Sequence, residues 1–192
     1  MLRTGFKGAT AVQSAQALIA RFDTLAGVLR ADRRLLLESP GVGSCTYALL
    51  QASTEMARRQ AAEPLSRADV LTSPQQTRKF LQLHLGGRNR EVFSCLFLDS
   101  QHRMIRCDDL FLGTLDGAAV YPREVVVRAL QYSSAAVIFA HNHPSGVAEP
   151  SSADKRITQR LQAALELLDI RVLDHIIVGR GREFSFAEEG LL

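Results

Sequence analysis

The chain has 192 residues, 46% of them apolar and 22% charged, a profile that suits one or two globular units with buried cores and excludes wholesale disorder. No run of eighteen apolar residues occurs, and residues 1–10 (MLRTGFKGAT) carry no apolar stretch before a small-residue cleavage site, so neither a membrane span nor a secretory leader is expected and the chain reads as cytoplasmic. The net charge is +3, with eight Lys or Arg against four Asp or Glu over residues 1–62 and fifteen against sixteen over residues 63–192; this N-terminal basicity suits a nucleic-acid-facing module joined to a neutral catalytic one, or a solvated basic face without a partner.

From Ala11 to Arg30 the apolar residues Val12, Ala15, Leu18, Ile19, Phe22, Leu25 and Leu29 recur at three and four, the spacing of one amphipathic helix or two short ones. Asp32 can cap a further short helix through Leu37. Pro40-Gly41-Val42-Gly43 breaks it, and Ser44 can cap a helix to about Arg59. Beyond that, QAAEPLSRADVLTSP loses its periodicity and holds two prolines. We therefore expect a small all-α module over residues 1–62, a linker at 63–72 and a second domain over 73–192.

The second part alternates strands and helices. Ser73-Pro74-Gln75-Gln76 is a capping box with Pro in the first helical position, predicting a helix to about Leu85 that stops at Gly86-Gly87. Glu91–Leu98 and Met104–Leu112, around the turn Asp99-Ser100-Gln101-His102, predict a hairpin with partly alternating faces. A helix starting at Pro122 follows, to about Tyr132. The apolar run Ala135–Ala140 is expected as a strand buried on both faces at a sheet centre. A helix from Ser152 to about Leu168, a strand over Val172–Val178 and an edge strand within 183–187 complete an α/β (α+β) fold, a mixed sheet flanked by helices. Cys45, Cys95 and Cys107 fit neither a zinc ribbon nor a redox pair and read as reduced structural thiols.

The apolar run ends in HNHPSG. His141 and His143 are two residues apart, so in strand geometry both imidazoles project to one side. Asp154 lies eleven residues beyond His143 and three after Ser151, in the first turn of a predicted helix that a short loop can fold back over the strand end. Two imidazoles and a carboxylate suit one Zn²⁺ ion and leave a fourth position for water, as in catalytic sites. A general base is then needed, for which Glu91 at the start of the first strand is the first candidate, with Glu124 and Glu149 behind it. Ser151 could hold a substrate oxyanion. Simpler readings stand beside each assignment. The H-x-H pair could be polar loop residues, Ser151-x-x-Asp154 is also a capping box, and Glu91 after Arg88-Asn89-Arg90 could form a surface ion pair. His175 reads as a buried strand histidine satisfied by a backbone partner, and His84 and His102 as surface residues.

H-x-H-P, with seven residues between His143 and Ser151 and two more before Asp154, and a Glu fifty residues upstream of His141, resembles the JAMM metal motif of JAB/MPN domains. The longer text PREVVVRAL…AAVIFAHNHPSG…PSSAD…LLDHIIVG resembles the bacterial RadC family within that superfamily. That resemblance implies His141, His143 and Asp154 as zinc ligands, Glu91 as the water-activating acid and base, and Ser151 as the oxyanion-stabilising residue. It implies a metallohydrolase acting on a peptide or protein substrate, and a weaker association with DNA repair. The N-terminal part resembles the family's helix-hairpin-helix-like module, without its usual opening segment. Its Gly41-Val42-Gly43 turn could cradle a DNA phosphate on backbone N–H groups, or be a tight interhelical turn and nothing more. Two other functions are weighed against the hydrolase: a non-catalytic DNA-associated binding module with a structural metal or none, and a metal-dependent nuclease.

Overall fold

The computed structural model describes residues 11–70, 74–113 and 120–192. It divides between Arg59 and Gln60 into two compact units.

The first unit is helical. α1 (Ala11–Phe22) and α2 (Leu25–Arg30) realise the two short helices: Asp23 turns into the left-handed region (φ 62°), and Thr24 caps α2 by accepting from Gly27 N at 2.9 Å. Asp32 caps α3 (Arg33–Leu37), accepting from Arg34 N at 2.8 Å. The turn at Gly41 (φ 91°) then drops Val42 into a core of Leu18, Val28, Leu36 and Leu50 and leads into α4 (Ser44–Arg67). Ser44 is the first residue of α4, not its cap, and Gly43 holds the cap position.

α4 continues past Arg59 through residues 63–67, the first part of the expected linker, in spite of Pro64. The reason is burial: Leu65 is 1% exposed and joins the core of the second unit, with Ala61 and Ala62 packed against it. Ser73, the expected cap of the next helix, lies outside the described residues, as do linker residues 71 and 72. The helix itself is α5 (Pro74–Leu85).

The second unit is built on a five-stranded sheet ordered β2-β1-β3-β4-β5, with β1 (Val92–Leu98), β2 (Met104–Leu112), β3 (Ala136–Asn142), β4 (Arg171–Val178) and β5 (Glu183–Ser185). β3 and β4 are parallel and the other pairs antiparallel, giving the expected mixed sheet. β1 does not alternate: all seven of its residues are buried, because it is paired on both sides and covered on both faces. On one face Val92, Leu96, Ile138 and Ala140 pack with Phe80, Leu81 and Leu85 of α5. On the other Phe93, Phe97, Val137 and Phe139 pack with Val125 and Ala129 of α6 (Pro122–Gln131) and with Leu161 and Leu165 of α7 (Ser152–Glu166). Odd-numbered β3 residues therefore face α6 and α7, and His141 follows Phe139 on that side. A register shift between Val137 and Ile138 sets Phe139 opposite His175.

All three cysteines are free thiols, and burial pushes the Cys95 thiol well up. Among the described residues no helix is long and apolar enough to cross a membrane.

Candidate metal centre

His141 stands at the end of β3 with its side chain 1% exposed, stacked on Phe93. One residue past the strand, His143 N still donates to Val178 O at 3.1 Å, which keeps the extended geometry and turns both imidazoles the same way. The loop after His143 closes through Gly146 (φ 88°), whose carbonyl accepts from Arg180 N. A Cβ on Gly179 would come within 2.5 Å of that carbonyl oxygen, so the bare glycine there lets the loop lie down on the end of β4. Ser151 then caps α7. Its Oγ accepts from Asp154 N at 3.1 Å, and Asp154 Oδ2 accepts from Ser151 N at 2.7 Å. The capping box that offered a simpler reading of these two residues is thus present, and it is also what aims the Asp154 carboxylate at the histidines.

His141 Nε2 is 3.0 Å from His143 Nε2 and 3.3 Å from Asp154 Oδ1, and His143 Nε2 is 3.7 Å from Asp154 Oδ2. Ligands held at zinc distances in a tetrahedron lie roughly 3.3–3.6 Å from one another, so these separations bracket what one ion needs. His143 Nδ1 donates to Val147 O at 2.8 Å, so the neutral ring presents a bare Nε2. Acceptor lone pairs therefore converge, an arrangement that a cation relieves. The three residues form a group that could hold a metal ion.

The electrostatics agree. Burial lowers the His141 pKa to about 4, outweighing the opposing pull of Asp154, so the ring is neutral at physiological pH. His143 is raised, first by the Asp154 carboxylate 3.7 Å from its Nε2, with the charge of Glu91 acting in the same direction. Burial would push Asp154 up, but His143, His141 and Ser151 outweigh it and hold the carboxylate well below its usual range.

Glu91 directly precedes β1, and of the three carboxylates considered as base it is the one whose charge bears on His143. Glu124 pairs with Arg123 on α6, and Glu149 is exposed in the loop before α7. The Ser151 hydroxyl donates to Asp154 Oδ2 at 2.6 Å. Gly41, Val42 and Gly43 lie in the helical unit, as a turn at the start of α4.

Sequence reasoning missed Asn142 and Thr158, and it gave His175 a different partner. Asn142, between the two histidines, is buried and turned to the opposite side. Its Oδ1 accepts from Val92 N at 2.9 Å and its Nδ2 donates to Arg90 O at 3.0 Å, which clasps the segment carrying Glu91 to the strand carrying His141. His175 is fully buried, but its ring partners are side chains and not the backbone group expected: Nε2 lies 2.8 Å from His141 Nδ1, and Nδ1 lies 2.6 Å from Thr158 Oγ1. Thr158 is one α-helical turn beyond Asp154, a spacing that could have drawn attention to it. His84 and His102 are also less exposed than surface residues: His84 stacks on Phe80 and bonds Asp109 at 2.6 Å, and His102 meets Arg171.

Residues 71–191 match the RadC-like JAB domain. The chain belongs to the RadC family. Relatives within the family include the UPF0758 proteins of Nitrosococcus oceani and Thioalkalivibrio sulfidiphilus, each 56% identical over 191 residues, and that of Aeromonas hydrophila, 54% identical. Each alignment covers 100% of this chain and 85% of the relative. This RadC-family chain thus carries a JAB domain in which His141, His143 and Asp154 could together hold a metal, as expected of a metallohydrolase.

Proposed function

We propose that the chain is a zinc-dependent hydrolase of peptide or isopeptide bonds. The observation that carries this reading is the convergence of two imidazole nitrogens and a carboxylate at the end of β3, with Glu91 close enough for its charge to be felt by His143. Two nitrogens and an oxygen suit zinc. Bound with three protein ligands, the ion supplies a Lewis acid and a water of pKa about 7.

The remaining work falls to this chain's own groups. Asp154 stays ionised and His141 neutral across the physiological range, so both are ready to ligate without first losing a proton. Glu91 accepts the proton of the attacking water and delivers it to the leaving amine. Ser151, whose single hydroxyl hydrogen lies on Asp154 Oδ2 in this structure, serves as donor to the oxyanion by turning that hydrogen away from the carboxylate, a role worth roughly 2.7–4 kcal/mol in enzymes where such a donor has been removed. A nuclease reading is weaker, since such enzymes more often use two ions in carboxylate-rich sites, and one ligand group is found among the described residues.

The test is a mass-spectrometric screen of the zinc-loaded full chain against peptides and lysine-linked isopeptides, with Glu91→Gln alongside. Cleavage by the wild type and none by a variant that still holds zinc is expected. No cleavage of any substrate, or equal cleavage by the variant, contradicts the proposal.

A further inference from the structure

Thr158, His175 and His141 form a buried chain of polar side chains running from helix α7 through strand β4 to strand β3, and the proton positions along it follow from the distances. Thr158 Oγ1 lies 2.6 Å from the carbonyl oxygen of Asp154 and 2.6 Å from His175 Nδ1. A carbonyl has no hydrogen to give, so the single hydroxyl hydrogen must sit between Oγ1 and that oxygen. Oγ1 then presents only a lone pair to the ring, and His175 Nδ1 must be the donor.

Both rings are buried, His175 wholly, and among the described residues no carboxylate bonds the His175 ring, Asp174 accepting only from its backbone N, so the ring carries one proton and not two. Its Nε2 is therefore bare. That nitrogen lies 2.8 Å from His141 Nδ1, which must donate to it, and His141 is left with an unprotonated Nε2 facing His143 Nε2 and Asp154 Oδ1. Packing fixes the rings: His175 stacks on Phe186 at 4.8 Å between centroids, and both Phe93 and Phe139 meet its edge.

We infer that Thr158 and His175 are positioning residues that lock His141 in the Nδ1–H tautomer and so aim a bare Nε2 at the ion. The inference rests on the metal reading proposed above. Ligating histidines commonly donate their other N–H to a carboxylate or a carbonyl, as His143 does to Val147. His141 has neither and uses a second imidazole, whose own tautomer is set by a hydroxyl. The same residue, Asp154, anchors the far end of the chain through its carbonyl and enters the site through its carboxylate, so the start of α7 sets both ligands together.

The test has two parts on the full chain. In the metal-free protein with ¹⁵N-labelled histidines, long-range ¹H–¹⁵N correlations should show the ring protons of His141 and His175 on Nδ1. Zinc affinity, measured by competition with a chelator, should fall by about 10–100-fold in Thr158→Val, with the tautomers of both rings becoming mixed, and Thr158→Ser should restore both. An Nε2 proton on His141 in the wild type overturns the inference whatever the zinc content. So does a Thr158→Val protein that binds zinc within twofold of wild type with its tautomers unchanged. A wild type that takes up no zinc yet shows Nδ1 protons on both rings overturns the metal reading alone.

Discussion

Zinc binding to this chain should displace about one proton at pH 5, and not the two that a pair of ordinary histidines would release. The perturbation is the metal itself. Two imidazoles of ordinary pKa are almost fully protonated at pH 5 and together would release about 1.9 protons on ligation. Here burial has lowered His141 to about 4, so only about a tenth of it is charged at that pH. His143, raised above its ordinary value, is fully charged, and Asp154, held well below its own, is already ionised. The sum is about 1.1 protons, nearly all from His143, and at pH 5 ionisation of bound water adds almost nothing. Isothermal titration calorimetry in buffers of different ionisation enthalpy gives the number directly. A value near two would mean that His141 is not the buried neutral ligand described above. A value near zero would mean that His143 does not ligate.

Other outcomes follow from the rest of the molecule. Burial pushes Asp109 up, but His84, Ser94 and Arg88 outweigh it and hold it well below its usual range. Its contribution to stability is therefore present above about pH 4 and is lost as pH falls through the folded-state pKa, so Asp109→Asn should flatten the acid limb of a stability-against-pH curve; an unchanged limb would assign the acid sensitivity elsewhere. Phe139→Ala, at a fully buried position in the centre of the sheet, should cost about 3–5 kcal/mol in urea unfolding, and a loss under about 1 kcal/mol would contradict the packing described for that face. On the proposal that the Gly41-Val42-Gly43 turn contacts phosphate, log affinity for duplex DNA should fall linearly with log salt, by a slope of about 0.9 per phosphate engaged; no binding at low salt would remove that proposal.

Much of the fold could be read locally. Asp32 and Ser151 cap helices, Gly86 follows the last turn of α5, and the unbroken apolar run from Ala135 marks the central strand. The candidate ligands were legible for the same reason, since a two-residue strand period and a capping box need no knowledge of the rest of the chain. What local pattern could not show depends on distant packing. α4 persists through Pro64 because Leu65 is buried by a cluster that includes residues of β1 and β3. β1 reads as partly alternating until helices are known to cover both its faces. His175 meets His141 across 34 positions of sequence, and the partner depends on a register shift between β3 and β4 that no spacing announces.

Metal content per chain, measured by elemental analysis on untagged wild type and Asp154→Ala purified identically, tests the central claim most directly. About one zinc in the wild type and almost none in the variant is the expected result. Equal metal in the two, or none in the wild type after incubation with zinc, would contradict the site built from His141, His143 and Asp154.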